Sequence, residues 1–298
     1  MKYLIDLPTI DGYKEALYQH LQNLKNRKTE TLDNSSLYIS IITIVFNAES
    51  TIERTIKSVI EQNYKFIEYI IIDAGSTDNT LEIINKYKNS VTYIVSEKDK
   101  GIYDAMNKGI TLASGELIGL LNADDFYEPE AISKIAEHYL KNGGDIIHGD
   151  VNYIKDCRKL FTLKPPTIIT RYSFTEMPLN HPATFIRKKI YEEIGLYRTN
   201  YMIAADWEFI LRAFTLQKSF SYIPHIITNY SLEGVSSTQA KVGFNEIFTT
   251  LSELNLLNPI QLFFYHQIAK LKLAIKRTDN KFVRSLLTGV RKLKARTA

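Results

Sequence analysis

The chain's 298 residues, 45% apolar and 23% charged, are ordinary for a soluble globular protein of one large or two small domains. Its single Cys157 excludes an internal disulfide framework, argues against a cysteine-based metal site and points to a reducing, intracellular setting. The net charge is only +4, no stretch approaches the ~18 uninterrupted apolar residues of a spanning helix, and Met1–Ile10 lacks the apolar core of a signal peptide.

Residues 1–36 are polar, with Tyr13, Leu17, Leu21 and Leu24 at helical spacing, and read as an N-terminal helical extension closed by a Thr29–Ser36 linker. Leu37–Phe46, rich in Ile and Val, predicts a first buried strand. Asn47 follows it. Ser50, with Glu53 three residues on, predicts a capping box for a helix whose face is Ile52, Ile56, Val59 and Ile60. Phe66–Ile72 predicts a second strand ending at Asp73, residues 74–79 a turn, and Thr80–Tyr87 a helix. Val91–Val95 predicts a third strand, Ile102–Thr111 a helix and Leu117–Leu121 a fourth strand. Strands alternating with helices imply parallel βαβ units over residues 37–125.

The second half, residues 126–255, is less regular. Pro129–Leu140 predicts a helix, Asp145–Tyr153 a strand, and Lys164-Pro165-Pro166 breaks the pattern. Asn180–Ile186 reads as a passage from loop to strand, Ala204–Glu208 opens a helix running towards Phe214, and Phe220–Ile223 predicts a strand. From Asn258-Pro259 an apolar stripe of Ile260, Phe264, Ile268, Leu271 and Ile275 predicts an amphipathic helical region over 256–298. Residues 270–298 hold ten Lys/Arg against Asp279 alone, a net of +9 that leaves −5 on the rest.

Open α/β sheets gather their ligands at the C-terminal ends of the strands. Asp73, Asp99 and the Asp124-Asp125 pair stand after the second, third and fourth predicted strands. Asp73 fits either of two tasks: capping its own turn, or accepting hydrogen bonds from a nucleobase or ribose. Asp104, with Tyr103 and Asn107 at helical spacing, is by itself better explained by a helix dipole, which favours a carboxylate there without any function. Asp124 and Asp125 repel each other unless a cation or a donor-rich ligand is present, and a hard divalent ion beside a diphosphate suits them. Acids at successive strand ends describe a rim for a nucleotide and a metal.

The segments Ile71–Thr80, Ser96–Gly109 and Leu121–Asp125 resemble, in order and spacing, the motifs of glycosyltransferase family 2, and the resemblance covers about residues 38–235. It implies a GT-A fold, a Rossmann-like and mostly parallel α/β sheet flanked by helices. It implies an inverting enzyme that moves a hexose or N-acetylhexosamine from a nucleotide sugar, UDP-linked, to a growing surface polysaccharide such as lipopolysaccharide or to a lipid-linked glycan. Asn122-Ala123-Asp124 matches the family's Asp-x-Asp motif, so the resemblance places Mn²⁺ or Mg²⁺ at Asp124. It places Asp73 and Asp99 on the nucleoside, and Asn47, Lys100, Asp104, Asn107 and Asp125 around the donor. Asp206 matches the catalytic base, with Glu208 in reserve, and His181 lies in the loop expected beside diphosphate or acceptor. Inversion needs one displacement at the anomeric carbon, with one carboxylate deprotonating the acceptor hydroxyl and a metal stabilising the departing diphosphate.

Two positions depart from the pattern. Asn122 replaces the first acid of the metal motif, and Met106 stands where many members carry an arginine, whose work would fall to Lys100 or Lys108. Trp207 fits sugar stacking and core packing equally. A non-catalytic sugar-nucleotide-binding or scaffold protein is the rival from another class. A sugar nucleotidyltransferase would carry a Gly-rich loop after the first strand, and Val45-Phe46-Asn47-Ala48-Glu49 has no glycine. The basic tail suits an anionic membrane surface, implying a cytoplasmic enzyme peripheral to the inner face of the cell membrane. Packing of the apolar stripe on the domain or a partner chain is the alternative. No nucleic-acid-binding motif accompanies the charge.

Overall fold

The computed structural model describes residues 3–6, 37–156, 158–175, 177–232, 239–254, 259–264 and 267. Its first half runs β1 (Tyr3–Asp6), β2 (Ile39–Val45), α1 (Ile52–Ile60), β3 (Ile67–Asp73), α2 (Thr80–Lys86), β4 (Tyr93–Ser96), α3 (Ile102–Leu112) and β5 (Leu117–Asn122). The second half runs β6 (Phe126–Tyr127), α4 (Ala131–Asn142), β7 (Ile146–Lys155), β8 (Arg158–Leu163), β9 (Thr184–Arg187), α5 (Lys188–Ile194), α6 (Ala205–Thr215), β10 (Phe220–Ser231) and α7 (Ala240–Glu253). Short 3₁₀ turns occupy Arg171–Thr175 and His181–Ala183.

All ten strands join one sheet, in the order β1-β4-β3-β2-β5-β9-β7-β10-β6, with β8 paired to β7. Strands β4, β3, β2 and β5 are mutually parallel. β2 is buried at every residue, as a β-branched run covered by helices on both faces should be. Alternate side chains enter two cores. Ile42 and Ile44 pack with Met106, Trp207 and Phe209 on one face. Ile39 and Ile41 pack with Ile52, Ile56 and Ile135 on the other. On the first face α3 lies so close that a Cβ on Gly109 would stand 2.3 Å from Ile42 Cγ2.

β9 runs antiparallel to both β5 and β7, and β7 is parallel to β10. β3, β4, β5, β7 and β10 therefore all end on one edge of the sheet. β9 begins there, directly after the His181–Ala183 turn. This geometry brings the second half of the chain to the same rim as the strand-end acids of the first.

Several expectations need correction. The Ser50–Glu53 capping box does not form: α1 starts after Thr51 without a side-chain cap. Glu53 instead accepts from the Tyr87 hydroxyl and pairs with Lys57. Residues 3–6 are not helical but add a parallel strand beside β4. The helical spacing at Tyr13–Leu24 lies outside the described residues. β8, α5 and α7 escaped the sequence reading, and β10 extends eight residues past the predicted end at Ile223. Residues 259–264 are helical, while the whole basic stretch 270–298 lies outside the described residues. Among those described, no helix is long and apolar enough to cross a membrane.

Candidate active site

Asp73 ends β3 with no exposed surface. Its carboxylate accepts from the Gly75 and Ser76 amides at 3.1 Å and from the hydroxyls of Ser76 and Ser96. These donors take up the roughly four lone-pair directions of a carboxylate. Asn47, in the left-handed region at φ 47°, accepts from the Thr77 amide at 2.8 Å and sends its own N–H to Ser76 Oγ at 2.8 Å. It laces the exit of β2 to the Asp73 turn. Asp99 is half-buried and accepts from the Gly101 amide at 3.0 Å, and burial raises its carboxyl above the usual range. Asp104 accepts from the Lys100 amide at 3.0 Å and faces Lys108 at 3.6 Å. Lys108 pairs with Glu97 at 2.7 Å, while Lys100 is exposed. Met106 is buried in the core, so it offers nothing to a phosphate. Asn107 turns its amide to the main chain of Tyr197, donating at 2.8 Å and accepting at 3.0 Å.

At the end of β5 the backbone is held from α1. Arg54 donates to the Asp124 carbonyl at 2.8 Å, and the Thr55 hydroxyl lies 2.8 Å from the Ala123 carbonyl and 2.7 Å from that of Asp125. Asp124 keeps its side chain partly exposed. Asp125 is fully buried and accepts from the Ser231 amide at 2.8 Å. Burial first, and then the Asp124 charge, hold its carboxyl well above the usual range. The two adjacent acids are thus divided into one partly exposed carboxylate and one buried acid. Asn122 donates to Asp125 Oδ2 at 3.2 Å and lies 3.1 Å from His181 Nε2. Its own Oδ1 is buried without a partner among the described residues.

The carboxylates at this corner are the partly exposed Asp124 and the buried Asp125. Among the described residues no three His, Cys, Asp or Glu side chains converge on a metal position. Mg²⁺ and ions like it are commonly held by one or two carboxylates with phosphate oxygens completing the shell. Asp124 is the partly exposed carboxylate at this corner.

Asp206 sits in the first turn of α6. The Trp207 amide at 2.8 Å and the Tyr103 hydroxyl at 3.2 Å hold its Oδ1. Its Oδ2 lies 3.4 Å from His181 Nδ1. Beneath the two, Leu120, Leu179, Thr184, Tyr191 and Ile210 line a small cavity. Glu208 is 4% exposed and paired with Arg212 at 3.1 Å and Arg198 at 3.4 Å. That removes it as the reserve base. Trp207 is 1% exposed and its indole N–H donates to the Phe174 carbonyl, so it is a core residue and not a sugar platform.

The model of the glycosyl transferase family 2 domain matches residues 40–195, more than half of the chain. The chain belongs to glycosyltransferase family 2. An uncharacterized glycosyltransferase of Mycobacterium tuberculosis is 33% identical over 192 residues, which are 59% of this chain and 68% of that one. S. aureus TarS 1–349 in complex with UDP-GlcNAc superposes with a TM-score of 0.61 at 18% identity, covering 78% of this chain and 70% of that one. The longer S. aureus TarS chain is covered over only 40% of its length. The mannosyltransferase PcManGT from Pyrobaculum calidifontis, in complex with GDP-Man and Mn²⁺, gives 0.57 at 14% identity over 94% of this chain and 88% of that one. The fold of this glycosyltransferase is therefore GT-A.

Two features of the glycosyltransferase site were not legible in the sequence. Glu246, from α7, accepts from the amides of Met202 at 2.6 Å, Ile203 at 3.0 Å and Ala204 at 2.9 Å, fixing the segment that leads into Asp206. Tyr103 joins α3 to that same segment through the Ile203 carbonyl and Asp206. Each acts across roughly forty or a hundred residues of sequence. The Tyr103-Asp104 motif was visible, but nothing in it named the partner.

Proposed function

We propose that this family 2 glycosyltransferase is an inverting, metal-dependent enzyme. It transfers a hexose or N-acetylhexosamine from a nucleotide sugar, UDP-linked, to a surface polysaccharide or lipid-linked glycan. The observation that carries the reading is Asp206, a carboxylate with one oxygen held by the Trp207 amide and the Tyr103 hydroxyl and the other 3.4 Å from His181, whose far ring nitrogen meets Asn122 at the end of β5. The solved relatives bound to UDP-GlcNAc and to GDP-Man with Mn²⁺ support a nucleotide-sugar donor and a divalent ion.

In this reading the nucleoside lies over the ends of β3 and β4, against Asp73 and Asp99. Asp73 receives it by releasing a hydroxyl donor, since Ser76 and Ser96 can rotate away while the Gly75 and Ser76 amides stay. Asn47, Asp104 and Asn107 shape the loops around the donor, and exposed Lys100 supplies a cation to reach a phosphate. Asp124 would hold the metal, which supplies charge neutralisation for the departing diphosphate. Asp206 Oδ2 takes the proton of the acceptor hydroxyl as its oxygen attacks the anomeric carbon from the face opposite the leaving group.

The test is transfer from UDP-sugars to a lipid or oligosaccharide extract, with donors first chosen by Mn²⁺-dependent thermal shift. Asp206→Asn should lower transfer by about 10²–10⁴-fold, the usual contribution of a general base, while donor-induced stabilisation persists. Full transfer by this variant would sink the base assignment. Donor binding with neither transfer nor hydrolysis by the wild type would favour a binding or scaffold protein.

A further inference from the structure

The structure links Asp206 to the end of β5 through one histidine. His181 Nδ1 faces Asp206 Oδ2 at 3.4 Å, and Nε2 faces Asn122 Nδ2 at 3.1 Å. Each ring nitrogen of a partly buried imidazole thus faces a polar group. We propose that Asn122 fixes the tautomer of His181, directing Nδ1–H at Asp206 and making His181 a positioning residue for the base.

The argument is an accounting of hydrogens. The Asn122 amide has two N–H donors and one carbonyl acceptor. As placed, the donors meet Asp125 Oδ2 at 3.2 Å and His181 Nε2 at 3.1 Å, and only Oδ1 lacks a partner among the described residues. Turning the amide over would leave two buried N–H groups at the position where Oδ1 now finds nothing. One unpaired carbonyl is a cheaper arrangement than two unpaired buried donors. With Asn122 donating, Nε2 must carry the lone pair, and the proton of a neutral imidazole then resides on Nδ1. Nδ1–H is the group that faces Asp206. The 3.4 Å separation is longer than a formed hydrogen bond, as is common before substrate tightens a catalytic constellation.

An acid at position 122 would do the opposite. A carboxylate only accepts, so it would draw the proton to Nε2 and leave a lone pair on Nδ1 against the Asp206 carboxylate. The asparagine that departs from the family's metal motif is, in this chain, what keeps His181 aimed at the base. The proposal rests on reading Asp206 as that base, but its first test does not.

That test is long-range ¹⁵N–¹H NMR of ¹⁵N-histidine-labelled full-length protein at pH 8, with the His181 resonances assigned by their loss in His181→Asn. The expected result is a protonated Nδ1 and an unprotonated Nε2 in the wild type, and a protonated Nε2 in Asn122→Asp. A protonated Nε2 in the wild type overturns the proposal, and this measurement needs neither turnover nor a folded variant at position 122. The second test is kinetic. An asparagine amide nitrogen overlays Nδ1, and a glutamine amide nitrogen overlays Nε2. His181→Asn should keep most of kcat, while His181→Gln should lose about 10²-fold, the scale of a misaimed catalytic group, with the donor KM little changed. Equal kcat in the two variants overturns the positioning role. Full activity in Asp206→Asn with the expected tautomer would instead remove the base assignment and leave the Asn122–His181 link standing.

Discussion

Asp124 and Asp125 are neighbours in sequence with different surroundings. Asp125 is buried against the β10 main chain, with its carboxyl pushed well up, while Asp124 keeps a partly exposed carboxylate. Asp124→Ala should therefore abolish the Mn²⁺-dependent part of donor-induced thermal stabilisation. Unchanged metal dependence in that variant would remove Asp124 from the metal site. His148 offers a separate test of the fold. It is buried on β7 with neither ring nitrogen bonded among the described residues, facing Tyr222 and near His138, and burial pulls its pKa down to about 4. Its neutral form is the folded form, so the unfolded chain takes up a proton first as pH falls below about 6.5. Between pH 6.5 and 4 wild type should lose about 3 kcal/mol relative to His148→Leu, read as diverging urea midpoints. Parallel midpoints across that range would show that His148 does not titrate in this way.

At the scale of elements, Asp206 opens α6, and the segment before it is held from α7 and α3. Glu246 satisfies three amides before α6, which otherwise would lack acceptors at the helix start. Gly243 lets α7 approach, since a Cβ there would lie 2.9 Å from Ile203 Cγ2. Glu246→Ala should lower stability by about 2 kcal/mol, the scale of charge-assisted hydrogen bonds. It should also cut kcat more than donor KM, because the nucleoside rim belongs to other elements. A variant whose loss lies wholly in donor KM would show that α7 does not set the base. Asn107 is the counterpart on α3: its place in the donor motif was legible, but its amide braces the Tyr197 loop of the second half.

At the scale of the molecule, one edge of one sheet collects the ends of strands from both halves of the chain. The net charge of +9 over residues 270–298 stands apart from the −5 of the rest. For a lipid-linked acceptor, that stretch would hold the enzyme at the surface where its substrate lies. Full-length protein should co-sediment with vesicles containing anionic lipid and be released by salt, since each surface base contributes about 1 kcal/mol within a screening length of ~8 Å. A chain lacking residues 270–298 that sediments equally well would assign the tail another task.

The sequence by itself determined the parallel half of the sheet, because β-branched runs of Ile and Val between amphipathic helices have few other ways to be buried on both faces. It also determined the acids at the strand ends, since a polar residue closing such a run must emerge at the sheet's edge. It marked Asp206 and His181 as separate candidates. Only the tertiary structure decided that His181 stands between Asp206 and Asn122, that Glu208 and Trp207 turn inward, and that Asp125 is buried while Asp124 is not. Those outcomes depend on β9 returning antiparallel into the sheet and on α7 closing over the loop before α6. Such contacts join residues far apart in the chain, and no local periodicity encodes which partner a side chain will meet.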